Sequence, residues 1–420
     1  MTNQTDAKPK LFPILLVTFI DTLGMSVVLP FLIVIVLKMG GNALIYGLLG
    51  ATYSVFQLIG APVLGNWSDS SGRKKILLIS EIGTFIGWLI FIVGLLIAPA
   101  NPVDNTLNHG ALVITVPLAL IFLARAIDGL TGGSISVANA YLADISEKGD
   151  RKKNFGKISA ASNMGLIFGP LMAGLLGATV LGNLLPVIAT AAISFIAIFV
   201  VYFYIHESRF KKAGQEQQAK ETKAVPFKND IFKVFKIDGV PYFLVLYFLI
   251  YLAFNFFYVA FPVYAADELK WTVLQLGVFF SFLSGALVVV QGPLLTYLSK
   301  HFSGAVLIIS GGLLLSVCFV CLTFNNTVIM YTGALFFALG NGLMWPSFVA
   351  LLSNTGNDDT QGSIQGVASA AGSLASIVGL VSGAFLFDLL HSDIFFVTAA
   401  FMACILLLSV PLIKKEKAMQ

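Results

Sequence analysis

Charge is scarce in this 420-residue chain: only 11% of it is Asp, Glu, Lys or Arg, against roughly a quarter in soluble domains. So few polar groups cannot cover a globular surface, which excludes an array of ordinary water-soluble domains. Cysteine is nearly absent, and Cys318, Cys321 and Cys404 all lie in apolar runs. Cys318 and Cys321 have the spacing of a redox pair. On a helix that spacing only stacks two small apolar residues on one face, and no soluble fold surrounds them to use it. The four histidines, His109, His206, His301 and His391, sit near the ends of apolar stretches, so a histidine proton relay is not expected. There is no metal-ligand cluster, no phosphate-binding loop and no nucleophile–base pair, so neither a metal nor a cofactor nor an enzyme is expected. The net charge of +4 does not point to nucleic acid, because the basic residues form no single face. The polar start, MTNQTDAKPK, leads into a spanning-length stretch with no clear cleavage site, so no signal peptide is expected.

What the chain has instead is apolar length. Hydrophobic residues make up 57% of it, with 36 Phe and 39 Gly, and its mean hydropathy is +0.90. Its solvent must be largely lipid. Charges punctuate the sequence at about the ~20-residue interval that a helix needs to cross a ~30 Å hydrocarbon core. Residues 39–68, 82–103 and 105–124 carry no Asp, Glu, Lys or Arg; 158–206 and 301–357 are long enough for two crossings and break at Gly182-Asn183 and Asn325-Asn326. Twelve helices are predicted, near 11–37, 45–66, 76–98, 110–137, 158–180, 183–205, 240–264, 272–298, 304–324, 327–352, 363–389 and 393–413. Runs such as ILLVTFI do not alternate as porin-like strands must. The fold class is therefore an all-α membrane protein.

Lys and Arg orient the spans. With the amino terminus in the cytoplasm, every basic residue falls in a cytoplasmic segment except Lys38 and Lys270 outside and Arg125 within the membrane. Both termini are thus expected to be cytoplasmic. The one long polar segment, 206–238, reads as a solvated linker between six helices in 1–205 and six in 239–420. An offset of about 230 residues superposes the first span on the seventh, as in transporters built from repeats that rock around a central site.

Four stretches carry polar chemistry into this frame. Between the second and third spans lies Gly65-Asn66-Trp67-Ser68-Asp69-Ser70-Ser71-Gly72-Arg73-Lys74-Lys75. Its glycines allow close approach and a tight turn, and Asp69 and Arg73 set opposite charges at the membrane rim. The fourth span carries Arg125-Ala126-Ile127-Asp128-Gly129. A mid-span charge costs ~2.5–3.5 kcal/mol on insertion scales, so Arg125 needs a wet cavity or a partner, and Asp128 lies one turn away. The fifth span carries Gly165, Gly169, Pro170 and Gly174, a pattern for close packing and a bend. Asp21, in the first span, is a membrane carboxylate and so a candidate for proton exchange. Its alternative is a static bridge to Arg125, and the two readings describe different steps of one cycle. Glu81, about one turn into the third span, is expected to snorkel to the rim.

The loop stretch resembles the G-x-x-x-D-x-x-G-R-[KR]-x signature of the major facilitator superfamily, at the loop where that family carries it. With the Asp21-x-x-Gly24 opening, the Arg125 stretch and the Gly-Pro pattern in order, the whole chain resembles the drug:proton antiporter branch, which includes the tetracycline exporters. The resemblance implies two six-helix bundles working by alternating access. It implies that Asp69 faces a helix end of the other half and that Arg73 pairs with Asp144, latching the cytoplasmic side together with Gly65 and Gly72. The equivalent loop of the second half, 298–303, has lost the acid. It further implies that Arg125 and Asp128 serve proton movement with Asp21, and that Gly165, Gly169, Pro170 and Gly174 form the antiporter signature of exporters, echoed without proline at Gly379 and Gly383. It implies no cofactor, the proton gradient being the driving force. Expected partners are a small-molecule substrate and membrane lipid, with the protein a monomer in a bacterial inner membrane. Tetracycline exporters also carry an acid in mid-span three, where this chain has Gly87-Trp88, and one in span nine, where 311–322 has none. That argues against a metal–tetracycline substrate.

Substrate contacts are expected from Gln57, Asn139 and Asn163 in the first half and from Asn255, Phe256, Tyr258, Gln291, Asn341, Trp345 and Gln365 in the second. Aromatic walls and amides with few carboxylates suit an amphipathic or weakly cationic organic molecule. The function expected is proton-coupled export of such molecules. The alternatives are a proton-coupled importer of a sugar, peptide or siderophore, and a lipid flippase.

Overall fold

The computed structural model describes residues 11–97, 114–132, 134–146, 150–208, 234–237, 239–355 and 361–419. Among these no strand occurs. The first half contains α1 (Leu11–Lys38), α2 (Ala43–Ser71), α3 (Arg73–Leu96), α4 (Val116–Thr131), α5 (Ser134–Ile145), α6 (Arg151–Gly177) and α7 (Leu184–Tyr204). The second contains α8 (Val240–Val263), α9 (Val273–Val289), α10 (Gly304–Leu322), α11 (Thr327–Ser353), α12 (Gln361–Leu390), α13 (Ile394–Ser409) and α14 (Leu412–Met419). Among the described residues 11 runs are long and apolar enough to cross a membrane. The last of them holds both α12 and α13, parted by the short turn His391–Asp393, which accounts for the twelve expected crossings.

Several boundaries differ from expectation. The motif stretch from Gly65 to Ser71 is helical, the last two turns of α2, and Gly72 alone separates it from α3. Gly72 takes φ +98°, a backbone conformation that costs glycine nothing. The fourth span breaks after Thr131 and then continues to Ile145, beyond the expected end at 137, which puts Asp144 in its last turn. Of two π-helical turns, Val290–Leu294 interrupts a stretch that reads as ordinary helix, and Tyr264–Glu268 carries α8 past its expected end at 264. Most of the expected linker, 209–233 with 238, lies outside the described residues; His206, Glu207 and Ser208 are described.

By contact the described residues group into two compact units. The first takes 11–28, 55–97 and 116–208; the second takes Leu29–Ser54, 114–115 and the described residues from 234 onward. The far parts of α1 and α2 therefore belong with the second unit, where Gly47 and Gly50 bring α2 against Leu380 of α12.

In the first unit α3 is two-sided: it buries Ser80, Glu81, Gly87, Trp88 and Phe91, while Ile82, Ile86, Leu89 and Val93 are exposed. The buried side of α3 is thus its more polar side. In the first unit α6 crosses α1 at glycines: a Cβ on Gly165 or Gly169 would come within 2.8 Å of the Phe19 or Leu23 carbonyl oxygen. In the second unit α12 crosses α8 in the same manner, with Gly379 against Asn255 and Leu252 and Gly383 against Phe256 and Val259. A packed core of Ile14, Leu64, Ile76, Leu77, Tyr141 and Val201 holds the ends of the first-unit helices near Arg73.

Candidate functional site

Two polar clusters lie in the first unit. One surrounds the α2–α3 junction. Arg73 Nε donates to Asp144 Oδ2 at 3.2 Å, its Nη2 pairs with Asp69 Oδ1 at 2.6 Å, and its Nη1 donates to Ser68 Oγ at 2.6 Å. The guanidinium thus spans α2 and α5, using the fork geometry that lysine lacks. Glu207, just past α7, accepts from the backbone N–H groups of Arg73 at 2.9 Å and Lys74 at 3.2 Å. Ser208 Oγ donates to Asp144 Oδ2 at 3.1 Å. Free N–H groups and the helix dipole make an N-terminus a good seat for a carboxylate. A Cβ on Gly72 would displace the Glu207 carboxyl, but it is the φ of +98° that calls for glycine there.

Sequence reasoning does not find Glu207 and Ser208, because the polar run from 206 reads as linker. The second unit repeats the device: Glu416 of α14 accepts from Gly304 N and Ala305 N, both at 2.8 Å, at the start of α10. Although the 298–303 loop has no acid, a carboxylate following the sixth crossing of each half caps the helix of that half's third crossing.

The other cluster lies deeper. Asp21 of α1 accepts from Ser134 Oγ of α5 at 2.9 Å. Arg125 Nη2 pairs with Asp128 Oδ2 at 3.0 Å, and its guanidinium lies over the rings of Trp88 at 5.2 Å and Phe91 at 5.7 Å. Arg125 thus takes its partner from its own helix, and Asp21 takes Ser134. Thr84 and Thr131 hydroxyls lie 3.4 Å apart between these groups, and Ser80 Oγ bonds the Thr131 carbonyl. Gly87 faces α4: a Cβ there would sit 3.3 Å from the Ala124 carbonyl and 3.6 Å from Asp128 Cβ. The space beside position 87 is therefore bordered by an acid from α4.

Glu81 does not reach the rim. It is 1% exposed, and its carboxyl neighbours that of Asp21. The helix start at Arg73, earlier than the expected 76, sets the depth of Glu81: eight residues at about 1.5 Å rise each place it about 12 Å along α3, too deep for a short side chain to surface.

Gly165, Gly169 and Pro170 lie where α6 meets α1, and Ser26 Oγ donates to the Gly165 carbonyl at 2.9 Å; Gly174 is buried one turn on. Asn139 and Asn163 line one cavity of about 240 Å³ with Thr18, Ser159 and Ser162; Gln57 on α2 is not among its walls. In the second unit Trp345 stands edge-on to Tyr247 and Tyr251, 4.9 Å from each. Asn255 is 8% exposed and spends its amide on Tyr251 O at 2.7 Å and Ser376 Oγ at 3.2 Å. Phe256 packs on Phe401, and the Tyr258 carbonyl receives the Tyr46 hydroxyl at 3.5 Å. Asn255 and Phe256 are helix-packing groups here. Gln291 sits in the Val290–Leu294 π-turn, a distortion common at functional sites. Asn341 Oδ1 is buried without a partner among the described residues, and Gln365 is half-buried near the start of α12.

The family profile of the Major Facilitator Superfamily matches residues 14–380, with a second match over 243–418. The chain belongs to this superfamily. It is an integral, multi-pass membrane transporter, not an enzyme. Among curated superfamily relatives, the class E tetracycline resistance protein of Escherichia coli is 26% identical over 379 residues, covering 89% of this chain and 87% of the relative. Multidrug resistance protein 2 of Bacillus subtilis (strain 168) is 27% identical over 399 residues, covering 93% and 92%. A solved D-xylose–proton symporter superposes with a TM-score of 0.74 at 15% identity, over 95% of this chain and 96% of that one. The nucleoside transporter NupG gives 0.71 at 13%, over 96% and 99%. These structures share the superfamily fold.

Proposed function

We propose that the protein expels small amphipathic or weakly cationic organic molecules by exchanging them for protons. The observation that carries this reading is the Asp21 carboxylate, seated within a helical unit and held by Ser134. Arg125 and Asp128, paired beside it, tune its charge; Asp69, Arg73 and Asp144, with Gly65 and Gly72, gate the basic side. Relatives named for resistance to tetracycline and to multiple drugs support export, as does the α6 glycine–proline pattern. The molecule cycles as a monomer in a bacterial inner membrane with both termini cytoplasmic, as the placement of Lys and Arg implies. Asn139 and Asn163, on the walls of the first-unit cavity, contact the substrate. No cofactor is required, because the proton gradient supplies the driving force.

The test is ethidium accumulation in drug-sensitive bacteria expressing the protein. Cells with the wild-type chain should hold less dye than cells with Asp21→Asn, and an uncoupler should abolish the difference. Equal accumulation across a panel of cationic dyes and tetracyclines would refute export.

A further inference from the structure

Glu81 is buried deeper than any role at the membrane rim requires. Neither of its carboxyl oxygens accepts from an N–H or O–H group among the described residues. Its polar neighbour is the Asp21 carboxyl. Two carboxylates in contact away from water repel each other and lack solvation, so both cannot carry full charge at once. Arg125 is paired with Asp128, whose own carboxylate lies close enough to add its charge to that of both acids. The other elements packed on α3 bring no compensation: α5 offers the Ser134 hydroxyl, and α7 contains no Asp, Glu, Lys, Arg or His. α6 meets the Asp21 turn with Gly165 and Gly169.

We propose that Glu81 is a second proton-exchanging residue, and that it and Asp21 hold one proton between them as a buried carboxyl pair. The inference deepens the proton-coupled reading above and rests on it for its role in transport. With one proton the pair carries a single negative charge; a second proton makes it neutral. Asp21 is half-buried and follows Thr18, which lines the 240 Å³ cavity, by one turn. Protons therefore arrive and leave through Asp21. In the inward step an O–H bond breaks at Asp21 and another forms at Glu81, and the negative charge passes the other way.

The test is infrared spectroscopy of the full-length protein in liposomes, titrated in H2O and D2O with the proton itself as the probe. Wild-type protein should show a hydrogen-bonded carboxylic-acid C=O band where exposed acids are already ionised. In Glu81→Gln the band should vanish, or its titration midpoint should move by about one pH unit or more, a tenfold change in proton affinity. The reciprocal Asp21→Asn, read on the band that remains, reports the same coupling should Glu81→Gln not be purified. A band whose frequency and midpoint are unchanged by either substitution would overturn the pair. The measurement uses no substrate. Failure of drug export in cells would sink the export reading and leave the carboxyl pair standing, whereas an unaltered band beside working export would do the reverse.

Discussion

Ser134 Oγ donates a 2.9 Å hydrogen bond to Asp21 Oδ2, joining α5 to α1 where α4 breaks off. A charge-assisted bond of this kind contributes about 1.5–3 kcal/mol, roughly ten- to a hundredfold in the balance between charged and neutral carboxyl. Ser134→Ala should therefore reduce proton-driven ethidium efflux about tenfold or more while leaving the protein folded, and Ser134→Thr should retain most of it. Initial efflux rates in everted vesicles decide this.

The two acids on Arg73 differ in exposure, and the difference predicts their weights. The Asp69 side chain is 54% exposed and that of Asp144 22%. An exposed ion pair contributes ~0–1 kcal/mol, whereas losing a shielded bond to a charged group costs about 1.5–3 kcal/mol. In thermal unfolding of detergent-solubilised protein, Asp144→Asn should lower Tm more than Asp69→Asn. Arg73→Lys should resemble Asp144→Asn, since an ammonium cannot serve Ser68, Asp69 and Asp144 together.

Glu207 and Glu416 occupy equivalent positions at the starts of α3 and α10. Removing a cap costs ~0.5–2 kcal/mol, so Glu207→Ala and Glu416→Ala should each lower Tm by a similar amount. Only Glu207→Ala should also impair transport, because Glu207 adjoins the Arg73–Asp144 pair. Equal effects on transport would show that the cap is structural in both halves.

Gly169 meets Ser26 and the Leu23 carbonyl, whereas Gly156 on the same helix has nothing within 4 Å. Overpacking a close crossing costs about 1–3 kcal/mol. Gly169→Ala should accordingly destabilise the protein and slow transport, while Gly156→Ala should be neutral or slightly stabilising. Thermal unfolding of the two variants side by side checks the contrast.

The spans are legible because charge punctuates apolar runs, and the Arg73–Asp144 pair because its motif has fixed spacing. Other features need coordinates. Hydropathy counts a charge near a helix end, such as Glu81, as rim, whereas depth and facing decide. Glu207 stands at the head of a polar run whose composition matches a solvated linker, and nothing local marks it as a cap on a helix 134 residues away in sequence. Asn255 has the chemistry of a binding amide, but the periodicity of an almost wholly apolar helix does not say which face meets another helix. The Val290–Leu294 π-turn lies in a run that reads as ordinary helix.

Exchange of protons for substrate through Asp21 is the claim on which the proposed function depends. The direct measurement is proteoliposomes carrying an internal pH dye under an imposed pH gradient, challenged with ethidium, tetraphenylphosphonium, a tetracycline and neutral sugars. A cationic or amphipathic compound should trigger proton movement opposite to its own, and Asp21→Asn should abolish the exchange. Proton and substrate moving together, or substrate moving equally well without the gradient, would contradict it.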